Sequence, residues 1–535
     1  MAWVNSTLAS MTLDEKIGQM LMPSYSSGTA PTEVTSRKVG GFIFLGNSNT
    51  ASAVLSATNS LQGITSVPLI FSIDCEPGPG GRLTDGTDFP MNMALGATRN
   101  ATYAMEQGKV TARECRAIGV QMAFAPVVDV NTEPINPIIG IRSMSDDPEL
   151  VKTLAQAMVQ GMNSEGLLST FKHFPGHGAT TGDSHSSLPT ITISTMEIEK
   201  NHVKPYADLL PAGYGNLVMS AHVWYTALDP GTTAWPATLS GNALTTILRN
   251  EIGFGGAVIS DSFGMAGVQL AASTYDGVRI GVLAGLDIIL TPPSLDDAYN
   301  GLKDAVTSGL IPMARINDSV RRILSLKSRV GIPETTTNSV ATMTATMQHP
   351  DNLAAADVVA RHAICSARTK PQDLPLTSTQ KVYCLTLNAS STIFYLYAAS
   401  YFTNTLGSRL PLLTTQAVST SVSSSQRATI VANAQTYDRV VIASYEWKPA
   451  MTSNQVLLVE ALRASGVKMV YVSFGSPWQI TQFPLISNYF CGFSSHPGTQ
   501  DEMARVLCGE STASGLWPVT ISGVTRVDNW PIYGN

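Results

Sequence analysis

Eight short apolar runs punctuate residues 18–290: Gly18–Met22, Gly41–Leu45, Leu69–Asp74, Gln121–Val130, Ser169–Pro175, Leu217–His222, Ala257–Asp261 and Leu286–Leu290. They are continuous rather than alternating, which suits strands buried on both faces of a parallel sheet. The intervening segments carry helical spacing, as in Pro148–Met162, Ser194–Leu210 and Pro312–Arg329. Eight strands alternating with helices over roughly 300 residues predict a (β/α)8 barrel, with a doubly wound open sheet as the competing arrangement. Next comes Glu334–Met347, a Thr-rich stretch without clear period that reads as a linker, and then a helical pattern over Asp351–Ser366. Four further runs, Lys381–Leu387, Arg439–Ser444, Val467–Phe474 and Tyr489–Phe493, predict a smaller open α/β sandwich. The expected division is a TIM-barrel domain over 1–333, a linker and connecting helix over 334–375, and an α/β sandwich domain over 376–535.

Composition narrows the function classes. Of 535 residues 44% are hydrophobic, enough for sizeable cores, and 13% are charged, about half the usual ~25%. That excludes disorder as a class. The balance of 33 Lys and Arg against 39 Asp and Glu, with no basic run, argues against nucleic acid as a partner. No apolar run approaches the ~20 residues of a membrane span. The N-terminal residues lack the charged start and apolar stretch of a leader, so the expectation is a cytoplasmic protein, or a secreted one whose leader this sequence does not carry. The six cysteines form no C-x-x-C pair, which points to neither a zinc site nor a disulfide scaffold.

Several strand-like runs end in an ionisable residue: Asp74, Asp129, His173, His222 and Asp261. In a barrel those ends form the active-site face. Caps of the following helices would favour Asp, Ser or Thr and would not select His twice. The densest chemistry is Lys172–Pro189, KHFPGHGATTGDSHSSLP. Three readings are open for it. A metal site would use its histidines, but they show no i, i+4 or H-E-x-x-H spacing. A phosphate loop would need a glycine pattern that is absent. A glycosidase loop would pair Asp183 with His185, two apart and on one side of an extended segment. The carboxylate then sets the imidazole's tautomer and makes it a proton donor and acceptor. Neither a metal nor a cofactor is expected.

KHFPGHG followed by D-S-H resembles the signature of glycoside hydrolase family 3 β-N-acetylglucosaminidases. Ile73–Glu76 with Gly80-Gly81-Arg82, Phe124–Asn131, Gly140–Ser143, Val258–Gly267 and Ala284–Asp287 resemble other segments of that family, in the family's order. The resemblance implies a TIM barrel and a retaining, exo-acting enzyme. Its substrate would be terminal non-reducing β-linked GlcNAc on chitin-type or peptidoglycan-derived oligosaccharides or aryl glycosides. It also implies Asp261 as the nucleophile of a covalent glycosyl-enzyme and His185 as general acid/base with Asp183 as its partner. Asp74, Arg142, Lys172 and His173 would bind the sugar. Taken alone, Asp261 reads as a helix cap, and Arg142, Lys172 and His173 as a solvated turn and a satisfied barrel histidine. Asp129, His177 and His222 are expected to support the site. The segment DCEPGPGGR departs from the family by extra residues before Gly80-Gly81-Arg82, which leaves Arg82 without an assigned role.

Three rivals accompany this reading. A β-glucosidase would draw its acid/base from the second domain, with Glu446 as candidate. A GlcNAc phosphorylase would use phosphate in place of water beside the histidine. A sugar-binding protein would bind without turnover. The expected partner is a carbohydrate, with neither nucleic acid nor membrane, on a monomer or homodimer.

Overall fold

The computed structural model describes residues 2–231, 233–332, 334, 337–390 and 397–524. Residues 333, 335 and 336 of the expected barrel end and linker, and residues 525–535 of the expected sandwich domain, lie outside the described residues. Contacts divide the chain into two compact units. The first holds residues up to 87, 104–130 and 151–352. The second holds residues 88–103, 131–150 and those from 353 on.

The first unit is the barrel. Its strands are β1 (Leu21–Met22), β2 (Gly41–Phe44), β3 (Ile70–Ile73), β4 (Met122–Ala123), β5 (Leu168–Phe174), β6 (Leu217–Ser220), β7 (Ala257–Ser260) and β8 (Ile289–Leu290). Each lies within or against one of the eight runs. Parallel ladders join β2 to β7 in chain order and β1 to β8. Parallel bridges Ser24–Ile43 and Ile259–Ile288 close the two seams, so all eight strands form one barrel. Every residue of these strands is buried, which is why their runs are apolar without alternation. At the N-terminal end of β7, Asp287 is wholly buried and meets Arg249 Nη2 at 2.7 Å, Arg315 Nη1 at 3.1 Å and Arg322 Nη1 at 3.2 Å. The helix expected over Ser194–Leu210 forms, but with a wider turn over Ile198–Val203. Pro205 lies just beyond and has no N–H to close an ordinary helical bond.

The second unit carries β9 (Cys365–Arg368), β10 (Val382–Leu387), β11 (Leu413–Val418), β12 (Arg439–Ser444), β13 (Met469–Ser473) and β14 (Tyr489–Cys491). The sheet order is β9-β14-β13-β12-β10-β11, parallel except where β9 meets β14. Alternate strand residues feed two separate cores. Val440, Ile442 and Tyr471 join one, and Val441, Val470 and Val472 the other, as a sheet covered on both faces requires. The excursions 88–103 and 131–150 pack Met93, Ala97 and Ile138 into the first of these cores. Arg99 Nη2 donates to the Trp517 carbonyl at 3.0 Å, and Ser145 Oγ to that of Pro518.

Three local expectations differ from the structure. The helix expected to Ser366 stops at His362, and Cys365–Arg368 becomes β9, held by its pairing with Tyr489–Cys491. The Thr-rich linker contains a short helix, Val340–Thr346, whose first turn is capped by Ser339 Oγ accepting the Thr342 N–H. β11 has no counterpart among the predicted runs. It is an edge strand with polar, half-exposed residues, so its pairing leaves little trace in hydrophobicity.

Candidate active site

The C-terminal ends of the barrel strands gather a charged cluster. Lys172 lies inside β5 and is 2% exposed. Its Nζ stands 3.0 Å from Asp74 Oδ1, just after β3, and 2.7 Å from Glu76 Oε1. A buried ammonium is tolerable here because two carboxylates face it. Arg82 completes the group, with Nη2 donating to Asp74 Oδ2 at 2.9 Å and Nη1 to Asn47 Oδ1 at 3.0 Å. Burial pushes the Asp74 carboxyl up, but the charges of Lys172 and Arg82 outweigh it and hold that carboxyl below the usual range.

The neighbouring position of β5 is His173. Asp129, fully buried after β4, accepts from its Nδ1 at 2.7 Å and from its backbone N–H at 3.1 Å. That contact leaves Nε2 at 4.0 Å from Asp261 Oδ2. Asp261 follows β7, and its Oδ1 accepts the Ser262 N–H at 2.7 Å. Burial opposes ionisation of Asp261, yet His173, His222, the Ser262 N–H and Lys172 together lower its pKa to about 2. The carboxylate is therefore anionic near neutral pH. His222, after β6, donates from Nε2 to the Ser262 carbonyl at 2.9 Å. Burial lowers the pKa of His222 below that of a free imidazole, against the pull of the Asp261 carboxylate.

Asp183 and His185 sit on the long loop after β5. His185 Nδ1 meets Asp183 Oδ1 at 2.8 Å, and the His185 backbone N–H reaches the same oxygen at 2.9 Å. Burial raises the Asp183 carboxyl, but these bonds and the imidazole bring it below its ordinary value. The loop is anchored through the residue between them. Ser184 Oγ meets His177 Nε2 at 2.9 Å, while the His177 N–H donates to Asp129 Oδ1 at 2.7 Å. The imidazoles of His173 on β5 and of His177 and His185 on the loop thus meet Asp129, Ser184 and Asp183 respectively, and among the described residues no three His, Cys, Asp or Glu side chains are grouped to hold a metal ion.

Residues 12–326 match the glycosyl hydrolase family 3 N-terminal domain. The chain belongs to glycosyl hydrolase family 3. This family 3 glycoside hydrolase is 28% identical to a β-N-acetylglucosaminidase/β-glucosidase of Cellulomonas fimi over 97% of this chain and 95% of the relative. It is 26% identical to β-hexosaminidase A of Pseudoalteromonas piscicida, over 90% and 89%. It superposes on a glycoside hydrolase family 3 β-N-acetylglucosaminidase from Paenibacillus sp. str. FPU-7 with a TM-score of 0.87 and 29% identity. That match covers 96% of this chain and 99% of the other.

In the hydrolase, the barrel brings Asp74, Lys172, His173 and Asp261 to one end. Arg142 is carried by the second unit, in the turn Gly140–Arg142, with Nη1 donating to the Ile138 carbonyl at 3.1 Å. Glu446 does not fit the acid/base role that the β-glucosidase alternative gave it. It is fully buried, and its oxygens accept the Ser390 N–H at 2.6 Å and the Lys448 N–H at 3.1 Å. Glu76 and Arg82 are the cluster members that sequence reasoning left out. The signal was present in DCEPGPGGR, where an acid two residues after Asp74 emerges on the same side of an extended chain.

Proposed function

We propose that this hydrolase is a retaining, exo-acting β-N-acetylglucosaminidase that removes terminal β-linked GlcNAc from chitin-type or peptidoglycan-derived oligosaccharides. The observation that carries this reading is the Asp183–His185 pair on the barrel's own loop, with His185 Nδ1 held at 2.8 Å. An imidazole fixed at Nδ1 offers Nε2 for proton transfer, and it does so without placing a second anion beside Asp261. The relatives' names support the substrate class.

In the proposed reaction Asp261 attacks the anomeric carbon while His185 Nε2–H protonates the departing glycosidic oxygen. The electron pair of the broken C–O bond leaves with the aglycone. The neutral imidazole then takes a proton from water, which attacks the glycosyl-enzyme and releases Asp261 as a carboxylate. His173, oriented by Asp129, lines the approach to Asp261. Asp74 and Lys172 are proposed to hold the sugar's hydroxyls, so that binding energy positions the anomeric carbon.

Mass spectrometry of acid-quenched enzyme turning over a slow aryl N-acetylglucosaminide tests the reading. A glycosyl adduct on the peptide containing Asp261, and loss of turnover in Asp261→Ala with natural and activated substrates alike, are expected. A folded Asp261→Ala with wild-type turnover would end the assignment. A rate that requires added phosphate would replace water by phosphate as the acceptor.

A further inference from the structure

A cleft of about 570 Å3 opens in the barrel unit away from the catalytic cluster. Asn216, immediately before β6, and Gly255–Ala257, at the start of β7, form its floor. The cleft therefore lies at the N-terminal ends of the strands whose C-terminal ends lead to His222 and Asp261. Its outer wall is the helix Met313–Arg329, which contributes Arg321, Arg322 and Arg329 against one carboxylate, Asp318.

The charges there are poorly balanced. Arg321 and Arg329 stand eight residues apart on this helix, about 12 Å along its axis, and both line the cleft. The partner of Arg321 is Asp318, at 2.9 Å, with side chains 45% and 55% exposed, an ion pair too solvated to occupy it firmly. Arg322 shares Asp287 with Arg249 and Arg315, so that one carboxylate already faces three guanidiniums. Among the described residues the Arg329 guanidinium has neither a hydrogen bond nor an ion pair.

A second observation comes from the floor. Asn216 is 5% exposed, and its Oδ1 accepts the Ser169 N–H at 2.9 Å and the Ser169 hydroxyl at 3.2 Å. The backbone donor fixes which end of the amide is oxygen. Nδ2 then has no acceptor among the described residues, and it is not among the sealed, unsatisfied atoms, so its protons face the cleft that Asn216 lines.

We propose that this cleft is a binding site for a small phosphorylated anion. The phosphate would sit between Arg321 and Arg329 with one oxygen accepting from Asn216 Nδ2. A tetrahedral dianion suits the set better than a carboxylate, because its three terminal oxygens serve two guanidinium forks and the amide together. The apolar stems of Leu210 and Phe254, also at the cleft, leave room for a short organic tail. Binding stabilises the folded barrel by mass action and leaves the catalytic end untouched.

The test is calorimetric titration of the full-length enzyme with inorganic phosphate and with glycerol 3-phosphate, which has no sugar ring to occupy the catalytic end. The wild type is compared with Arg321→Gln/Arg329→Gln. Saturable binding that weakens with added KCl is expected in the wild type, with at least ~10-fold loss of affinity in the double variant. Hydrolysis of an aryl N-acetylglucosaminide should not differ between the two. The substituted side chains are solvent-facing, and matched thermal melts without ligand would show that the variant is folded. Absence of saturable binding up to ~10 mM in the wild type overturns the proposal. Equal affinity in both proteins also overturns it, since the anion would then sit elsewhere.

Discussion

The backbone N–H of Gly267 donates to the carbonyl of Ser184 at 3.0 Å. Ser184 separates Asp183 from His185, and Gly267 belongs to the segment that follows Asp261. One hydrogen bond thus ties the loop of the proposed proton donor to the loop of the proposed nucleophile. The Asp261 segment is also tied to the strands beside it, through the Asp261 N–H to the Ser220 carbonyl at 3.2 Å and the Phe263 N–H to the Leu290 carbonyl at 2.9 Å, and the Gly267 bond carries that placement across to the Ser184 loop.

A methyl group at Gly267 tests that tie. A Cβ there would stand 2.7 Å from His222 Cβ and 2.8 Å from the His222 carbonyl, neither of which has room to give. The segment must shift, and the bond to Ser184 with it. Gly267→Ala should therefore lower kcat by roughly 10–100-fold, as small misplacements of reacting groups do, with a smaller change in KM. Wild-type kcat in a folded Gly267→Ala would show that the two loops keep their places independently.

His185→Ala should respond to the leaving group. An acidic phenol needs little protonation, so formation of the glycosyl-enzyme should survive on activated aryl substrates and fall by about 10²–10⁴-fold on sugar leaving groups. Breakdown of the intermediate should be slow for both, and it should appear as a burst on the activated substrates. Asp183→Ala, which loses the 2.8 Å contact to Nδ1 but keeps the imidazole, should show a milder form of the same pattern. Uniform losses across leaving groups would assign His185 to binding.

The chain's own pattern carried most of the barrel and part of the site. Continuous apolar runs marked all eight barrel strands because each is buried on both faces. They also placed Asp74, Asp129, His173, His222 and Asp261 at one end of the barrel. What escaped was set by tertiary context. β11 lies at a sheet edge, and its Thr-rich residues pair through backbone bonds that need no apolar side chain. β9 was hidden in a helical pattern, since Ile364 and Cys365 follow His362 at spacings that suit either element. The excursions 88–103 and 131–150 interrupt the barrel sequence, yet their Met93, Ala97 and Ile138 belong to the sandwich core. No periodicity distinguishes such segments from ordinary barrel loops. Arg142 illustrates the consequence, because a residue drawn from the middle of the barrel sequence belongs to the other unit.

Lys327 gives a pH-dependent expectation. It is wholly buried, its Nζ reaches Gln19 Oε1 at 2.6 Å, and burial lowers its pKa from 10.5 to about 7. Between pH 7 and 10.5 the unfolded chain holds this proton more tightly than the folded one. Stability therefore rises with pH through that window and is flat with respect to this group below it. Lys327→Met removes the charge, at the expense of the bond to Gln19. It should stabilise the protein by about 1–3 kcal/mol near pH 7, less than the full linkage of ~4–5 kcal/mol, with the gain fading towards pH 10. Denaturant melts at several pH values measure this. A destabilised Lys327→Met at pH 7 would mean that the Gln19 contact outweighs the burial of charge.

Glu446 separates the two places from which a proton could be delivered. Its carboxylate is fully buried and accepts two backbone N–H groups, from Ser390 and Lys448, so the geometry makes it a structural acceptor in the loop after β12. Glu446→Gln keeps the shape but replaces one acceptor oxygen by an NH2 that must face an N–H. Leaving one buried donor unsatisfied costs about 1–3 kcal/mol, which should appear as a lower melting temperature of the folded enzyme. Hydrolysis of a small aryl N-acetylglucosaminide should stay within a few-fold of wild type, because the proposed donor is on the barrel. Were Glu446 the general acid, the same substitution would cost at least ~10²-fold, and most on poor leaving groups. Point substitution is the sharper test than deletion of the second unit, since deletion removes Arg142's surroundings as well. A folded Glu446→Gln with a large, leaving-group-dependent defect would move the proton donor away from Asp183 and His185.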